Sequence, residues 1–230
     1  MKKRKNKLVV EIDRPLEETT AAISIITAML EKNNISLDLS IAYDYECEGL
    51  GMYIPNEKGQ ESRIFVNPSK CKTQLETFLI EDDCPEPYCS GYTSDFTLFG
   101  VTIHEFCHLL QFKVFKDIIP EFGKAFPYDR LYLNDYSNNG YLDELAEIMS
   151  LYLTNPYLLN LISKPHFEFL KKFFKSPVSC SLSKSSEIFN RFPIHVKKDL
   201  EKRWGIVFNI DTEKFEKRQP NNEKNKKSSK

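Results

Sequence analysis

Apolar residues fall at helical spacing over residues 16–33, which predicts a helix that Asn33-Asn34 ends. The period then shortens. Ile35 to Tyr43 (ISLDLSIAY) alternates strictly, as a half-buried strand does. Ahead of the helix, L-V-V-E-I at 8–12 reads as a short strand. G-M-Y-I-P and S-R-I-F-V-N-P flank N-E-K-G-Q as a hairpin with a glycine-containing loop. Residues 81–95, with two prolines, a glycine and two cysteines, read as a loop. From Leu98 to about Phe115 the pattern is helical and apolar nearly all round, so this helix should be buried. Residues 116–140, rich in Pro, Gly, Asn and Tyr, read as an irregular connection. A second apolar helix runs from Tyr141 to Leu153 and stops before Asn155-Pro156, and helical segments follow at 157–175 and 186–203. There is no internal repeat. Helix and strands first, helices after, predict one α+β domain: a small mixed sheet with a hairpin, a buried helix and a helical C-terminal half.

The 230 residues suffice for one buried core, and the net charge of −1 conceals an asymmetry. Residues 1–7 carry +5 and residues 212–230 carry +4, which leaves −10 for the residues between. The expected organisation is a basic tail over 1–7, a folded domain over 8–208 and a basic, disordered tail over 209–230. A nucleic-acid partner is not expected, because these ends lack interleaved aromatics. No apolar run is long enough for a secretory signal or a membrane span, so a cytoplasmic location is expected, that of the host cell if the chain is virus-encoded. The six cysteines are then expected as thiols, C-P-E-P-Y-C (84–89) included, rather than as half of a metal knuckle.

The chemistry concentrates in T-I-H-E-F-C-H-L-L-Q, residues 102–111. Residues four apart share one helix face, so His104 and His108 can aim ring nitrogens at one zinc ion. Glu105 lies about 100° round, poorly placed as a ligand but close enough to take a proton from an activated water. That division of labour is the reason for the HExxH spacing. With four histidines in the whole chain, coincidence is a poor account of the pair.

A catalytic zinc keeps three protein ligands and an open position. His166 follows a proline on an aromatic face and reads as packing; His195 is the other histidine outside the motif. A carboxylate from the helix D-E-L-A-E-I-M is the better third ligand. Asp143 and Glu147 are i and i+4 on one face, where one can bind metal while the other anchors a ligand histidine by its second nitrogen. Glu144 lies off to the other side.

HEFCH followed by D-E-L-A-E-I-M-S-L-Y-L-T-N-P-Y-L-L resembles the zinc peptidases similar to the catalytic domain of anthrax lethal factor, and the small metallopeptidases of bacteriophage genomes. The resemblance spans roughly residues 98–175. It implies a zincin fold, one Zn²⁺ per chain, Asp143 at the position of the ligand glutamate, Glu147 behind a ligand histidine, and Tyr136 as oxyanion donor, with Tyr141 as the fallback. The chain departs from the family pattern at Cys107, where glycine is usual, and at Asp143, one methylene shorter than glutamate. Glu144 is the alternate ligand.

The expected function is therefore a zinc-dependent endopeptidase, acting as a monomer on a polypeptide, with Glu105 as general base. A zincin-fold binding or effector module that keeps its zinc without turnover is the alternative, and hydrolysis of another amide or ester a third reading. A substrate would lie extended along an edge strand of the hairpin 52–67, with I-F-V-N-P nominated as that edge.

Overall fold

The alternation ending at Tyr43 becomes a strand over Asp38–Tyr43, and its place in the sheet explains much of what surrounds the site. The computed structural model describes residues 7–12, 16–55, 61–72, 97–127, 131, 133, 140–174, 200–209, 211–212 and 214–218. Among them, β1 (Lys7–Val10), β2 (Asp38–Tyr43), β3 (Gly51–Ile54) and β4 (Ser62–Val66) form one mixed sheet in the order β1-β2-β4-β3. β2 runs parallel to both β1 and β4, whereas β3 and β4 are the antiparallel hairpin. A parallel pair needs a crossover, and α1 (Glu17–Asn33) supplies it between β1 and β2. Asn34, in the left-handed region at φ 54°, stops α1.

Register assigns the faces. Leu39, Ile41, Gly51, Tyr53, Ile64 and Val66 share one side of the sheet, with Leu39, Ile41, Ile64 and Val66 fully buried. Arg63, Met52 and Ile54 lie on the other side and are exposed. α2 (Leu98–Leu109) packs on α1, β3 and β4, and the sheet's inner side is thereby closed. The I-F-V strand expected at the edge is β4, which is paired on both sides; the edge is β3. Strand order is set by long-range pairing, to which local alternation is blind.

α2 begins where its sequence can cap it. The Thr97 hydroxyl accepts from the Gly100 N–H at 3.0 Å, and the Glu18 carboxylate on α1 accepts from the Leu98 N–H at 3.0 Å. The helix is buried nearly all round, as its composition predicts, and continues as one π-helical turn over Leu110–Val114. α3 (Ile118–Ala125) follows inside the stretch expected to be irregular. Pro120 misleads there, yet it sits in the first turn, where a missing N–H costs little. A Cβ on Gly123 would lie 2.6 Å from the Tyr141 hydroxyl oxygen, so a larger residue there would have to displace that side chain.

α4 (Tyr141–Thr154) packs along α2 through a fully buried stripe including Leu145, Ala146 and Met149. α5 (Pro156–Ile162) and α6 (Lys164–Leu170) share the segment read as one helix. Asn155 caps α5 through Leu158 N–H, and Pro165 starts a new first turn in α6. Residues 206–209 and 214–217, partly assigned to a solvated tail, pair as antiparallel strands β5 (Ile206–Asn209) and β6 (Lys214–Lys217). Buried Phe215 holds β6 in place among its charged neighbours. The architecture is thus mixed α+β, and no described helix is long and apolar enough to cross a membrane. Among the described residues, Cys47, Cys71 and Cys107 are not joined in a disulfide; Cys84, Cys89 and Cys180 lie outside the described residues.

Candidate metal centre

His104 and His108 stand one turn apart on α2, with their Nε2 atoms 3.1 Å apart. Across the helix interface, the first turn of α4 brings Asp143 to them: its Oδ1 lies 3.2 Å from His108 Nε2 and 3.8 Å from His104 Nε2. One ligand atom from each of the three residues falls within 4.8 Å of the others, so the group can hold a metal ion. The donor set fits a cation that takes imidazole nitrogen and carboxylate oxygen. Both Nε2 atoms face the same carboxylate oxygen, while each Nδ1 is engaged elsewhere.

Those outer contacts fix the rings. Glu147, fully buried on α4, places Oε1 2.6 Å from His104 Nδ1. Gln111 in the π-turn places Oε1 3.3 Å from His108 Nδ1. Of the acidic run on α4, Asp143 reaches the histidines. Glu144 is buried but stands outside the cluster. α2 and α4 pack closely enough for the shorter Asp143 side chain to reach the two histidines. Cys107 contributes to that approach, its sulfur accepting from the Ser150 hydroxyl of α4 at 3.3 Å. Burial pushes this thiol well above the ordinary range and keeps it neutral.

Three carboxylates, those of Glu105, Asp143 and Glu147, thus surround two imidazoles. Burial of His104 opposes its protonation, but hydrogen bonds to Asp143 and Glu147, with the charges of Glu147 and Glu105, outweigh it and raise its pKa to about 10. Asp143 is half-buried, which alone would raise its pKa; contact with the two histidines holds it well below the ordinary carboxylate range. Carboxylates thus crowd the two imidazoles, an arrangement that could hold a metal ion.

Glu105 sits beside the ligand face rather than in it. Burial raises its pKa, partly offset by both histidines and by the backbone N–H of Tyr53, which donates to its carboxylate. β3 presses against this residue. A Cβ on Gly51 would lie 2.9 Å from Glu105 Cγ and 2.6 Å from Val101 Cγ1, so the strand approaches only because residue 51 has no side chain. Farther along, Tyr53 stacks on Phe112 at 6.2 Å, and Phe112 stacks on His108 at 6.5 Å.

Tyr136 lies outside the described residues, as do His195 and the 84–89 segment. Tyr141 donates its hydroxyl to the Ile119 carbonyl at 2.8 Å, so the fallback donor is committed to α3. His166 stacks on Phe126 at 3.8 Å and contacts the Ser163 hydroxyl, a packing role as its aromatic face suggests. Gly51 and Gln111 escape sequence reasoning. Gln111 left one signal, a lone amide on an otherwise buried apolar helix, which burial obliges to find partners. Comparison of the chain with protein-family models, curated proteins and solved structures finds no match among any of them.

Proposed function

We propose that the chain is a zinc-dependent peptidase of the zincin type, with His104, His108 and Asp143 as metal ligands and Glu105 as general base. The observation that carries the reading is the convergence of those three ligand atoms within 4.8 Å, beside a buried carboxylate that is not one of them. Bound there, zinc would supply Lewis-acid activation of a water and of the scissile carbonyl. Glu105 would take the proton as the water attacks, and its raised pKa suits it to pass that proton to the departing amine. Glu147 and Gln111 hold the histidine rings in one orientation. Oxyanion stabilisation by Tyr136 rests on the family resemblance alone.

The substrate would lie along β3. The Leu50 carbonyl accepts from the Asn67 N–H, so by the antiparallel alternation Leu50, Met52 and Ile54 turn their backbone groups to β4, and Gly51 and Tyr53 turn theirs outward. An extended peptide pairing with the Gly51 backbone groups and the Tyr53 carbonyl would pass next to Glu105, which already accepts from the Tyr53 N–H.

The test combines metal content with turnover. Protein purified without chelator or histidine tag should contain one zinc per chain and cleave unstructured polypeptide. Glu105→Gln should keep the zinc and lose about 10²–10⁴-fold in kcat. A natural chain free of zinc would refute the proposal. Zinc retained without hydrolysis of any peptide would instead favour the binding-module alternative.

A further inference from the structure

Gln111 is 1% exposed and carries two contacts that join the two halves of the centre. Its Nε2 donates to the Leu142 carbonyl at 3.0 Å, on the residue immediately before Asp143. Its Oε1 lies 3.3 Å from His108 Nδ1. A carbonyl can only accept, so the amide must present nitrogen to Leu142 and oxygen to His108. The oxygen in turn only accepts, so the hydrogen of that contact resides on His108 Nδ1. With Nδ1 engaged in this way, Nε2 is the nitrogen that His108 would offer a metal ion, and it faces Asp143 and His104.

The backbone explains how one side chain does both. Over Leu110–Val114 the helix widens to i→i+5 bonding, with the Phe115 N–H donating to the Leu110 carbonyl at 2.8 Å. π-turns of this kind recur at functional sites because they redirect a side chain that regular helix would aim elsewhere.

We infer that Gln111 is a positioning residue of the metal centre, which fixes the tautomer and orientation of His108 while tying α2 to the turn of α4 that carries Asp143. The inference rests on the reading of His104, His108 and Asp143 as metal ligands. It adds a contact that the HExxH spacing does not imply, and it assigns the π-turn a purpose.

Zn²⁺ affinity measured on the full chain by competition with a chromophoric chelator tests it, beside the melting temperature of the metal-free protein. Gln111→Met fills the same volume with no hydrogen-bonding group. It should bind Zn²⁺ about 10–100-fold more weakly, with little change in metal-free melting. Gln111→Glu keeps an acceptor for His108 Nδ1 and loses the donor to Leu142, and it should recover most of the affinity. Should Gln111→Met not fold, Gln111→Asn, one methylene short of both partners, should show the same weakening. Equal affinity in the natural chain and the non-bonding variants would overturn the inference and leave the metal centre standing. Weak binding by Gln111→Glu as well would overturn the tautomer role, because the acceptor for His108 Nδ1 is kept and the loss would then follow the missing donor to Leu142. No Zn²⁺ binding by the natural chain would remove the metal centre itself and this inference with it.

Discussion

Glu147 on α4 and His104 on α2 meet at 2.6 Å, a contact between two fully enclosed polar groups that sets which nitrogen of the imidazole faces the carboxylate of Asp143. Removing the charge from this pair while keeping its shape isolates what it does. Glu147→Gln should bind Zn²⁺ about 10–100-fold more weakly than the natural chain, read by chelator competition. An unchanged affinity would mean that His104 is oriented by α2 alone.

Asp143 and Glu144 are separated by their reach. Asp143→Ala should abolish stoichiometric zinc in elemental analysis, and Glu144→Ala should retain it, since only Asp143 approaches the two Nε2 atoms. The opposite pattern would assign the third ligand to the neighbouring residue.

Gly51→Ala brings a methyl group to within 2.9 Å of Glu105 Cγ and 2.6 Å of Val101 Cγ1, so β3 must withdraw or both Val101 and Glu105 must move. A destabilisation of about 1–3 kcal/mol is expected from such overpacking, measured by urea unfolding. On the proposed reading, in which Glu105 is the base and not a ligand, zinc content should stay the same and hydrolysis should fall. A fully active, fully stable variant would show that the contact has slack.

The metal-free chain should respond to pH in a particular way. His104 has a raised pKa in the folded state, so its contribution to stability is complete below its ordinary 6.5 and is lost as pH rises through about 10. Asp143 has a lowered pKa, so its contribution is complete above its ordinary 3.8 and is lost as pH falls below it. Together they place the most stable window of the metal-free protein between about pH 4 and 6.5 as far as this cluster governs it. Urea midpoints across pH would reveal the window. Because zinc must displace the His104 proton, its apparent affinity should rise with pH over neutrality; a flat profile would contradict the charge state of His104.

If a substrate or peptide-like inhibitor lies along β3, amide exchange at Gly51–Ile54 should slow when it binds, and β4, already paired on both sides, should change little. Absence of protection at β3 would remove this docking geometry.

Much of the centre is legible in sequence because it is local. The i, i+4 spacing of His104 and His108, and of Asp143 and Glu147, follows from helical geometry, and the structure faces the two pairs toward each other. What sequence misses is set across distance. Gly51 is needed because α2 packs over the hairpin, and nothing within G-M-Y-I-P records that. β3 is the outer strand because β4 pairs with β2, a partner two strands earlier in the chain. Gln111 is the intermediate case: its polarity in an apolar helix was visible, but the π-turn that directs it has no periodic signature. α3 was hidden by Pro120 and Gly123, each permitted for a positional reason that composition does not carry.

His108 and Asp143 stand on helices whose packing builds the core, so these side chains converge only once that core has assembled. A cation held between them is therefore a clasp on the folded state. By mass action, an ion present at 100 times its dissociation constant adds about 2.7 kcal/mol to the resistance of the whole domain to unfolding. Metal supply would then govern how long the molecule survives proteolysis and heat, and a chelator would shorten its lifetime before any question of catalysis arose.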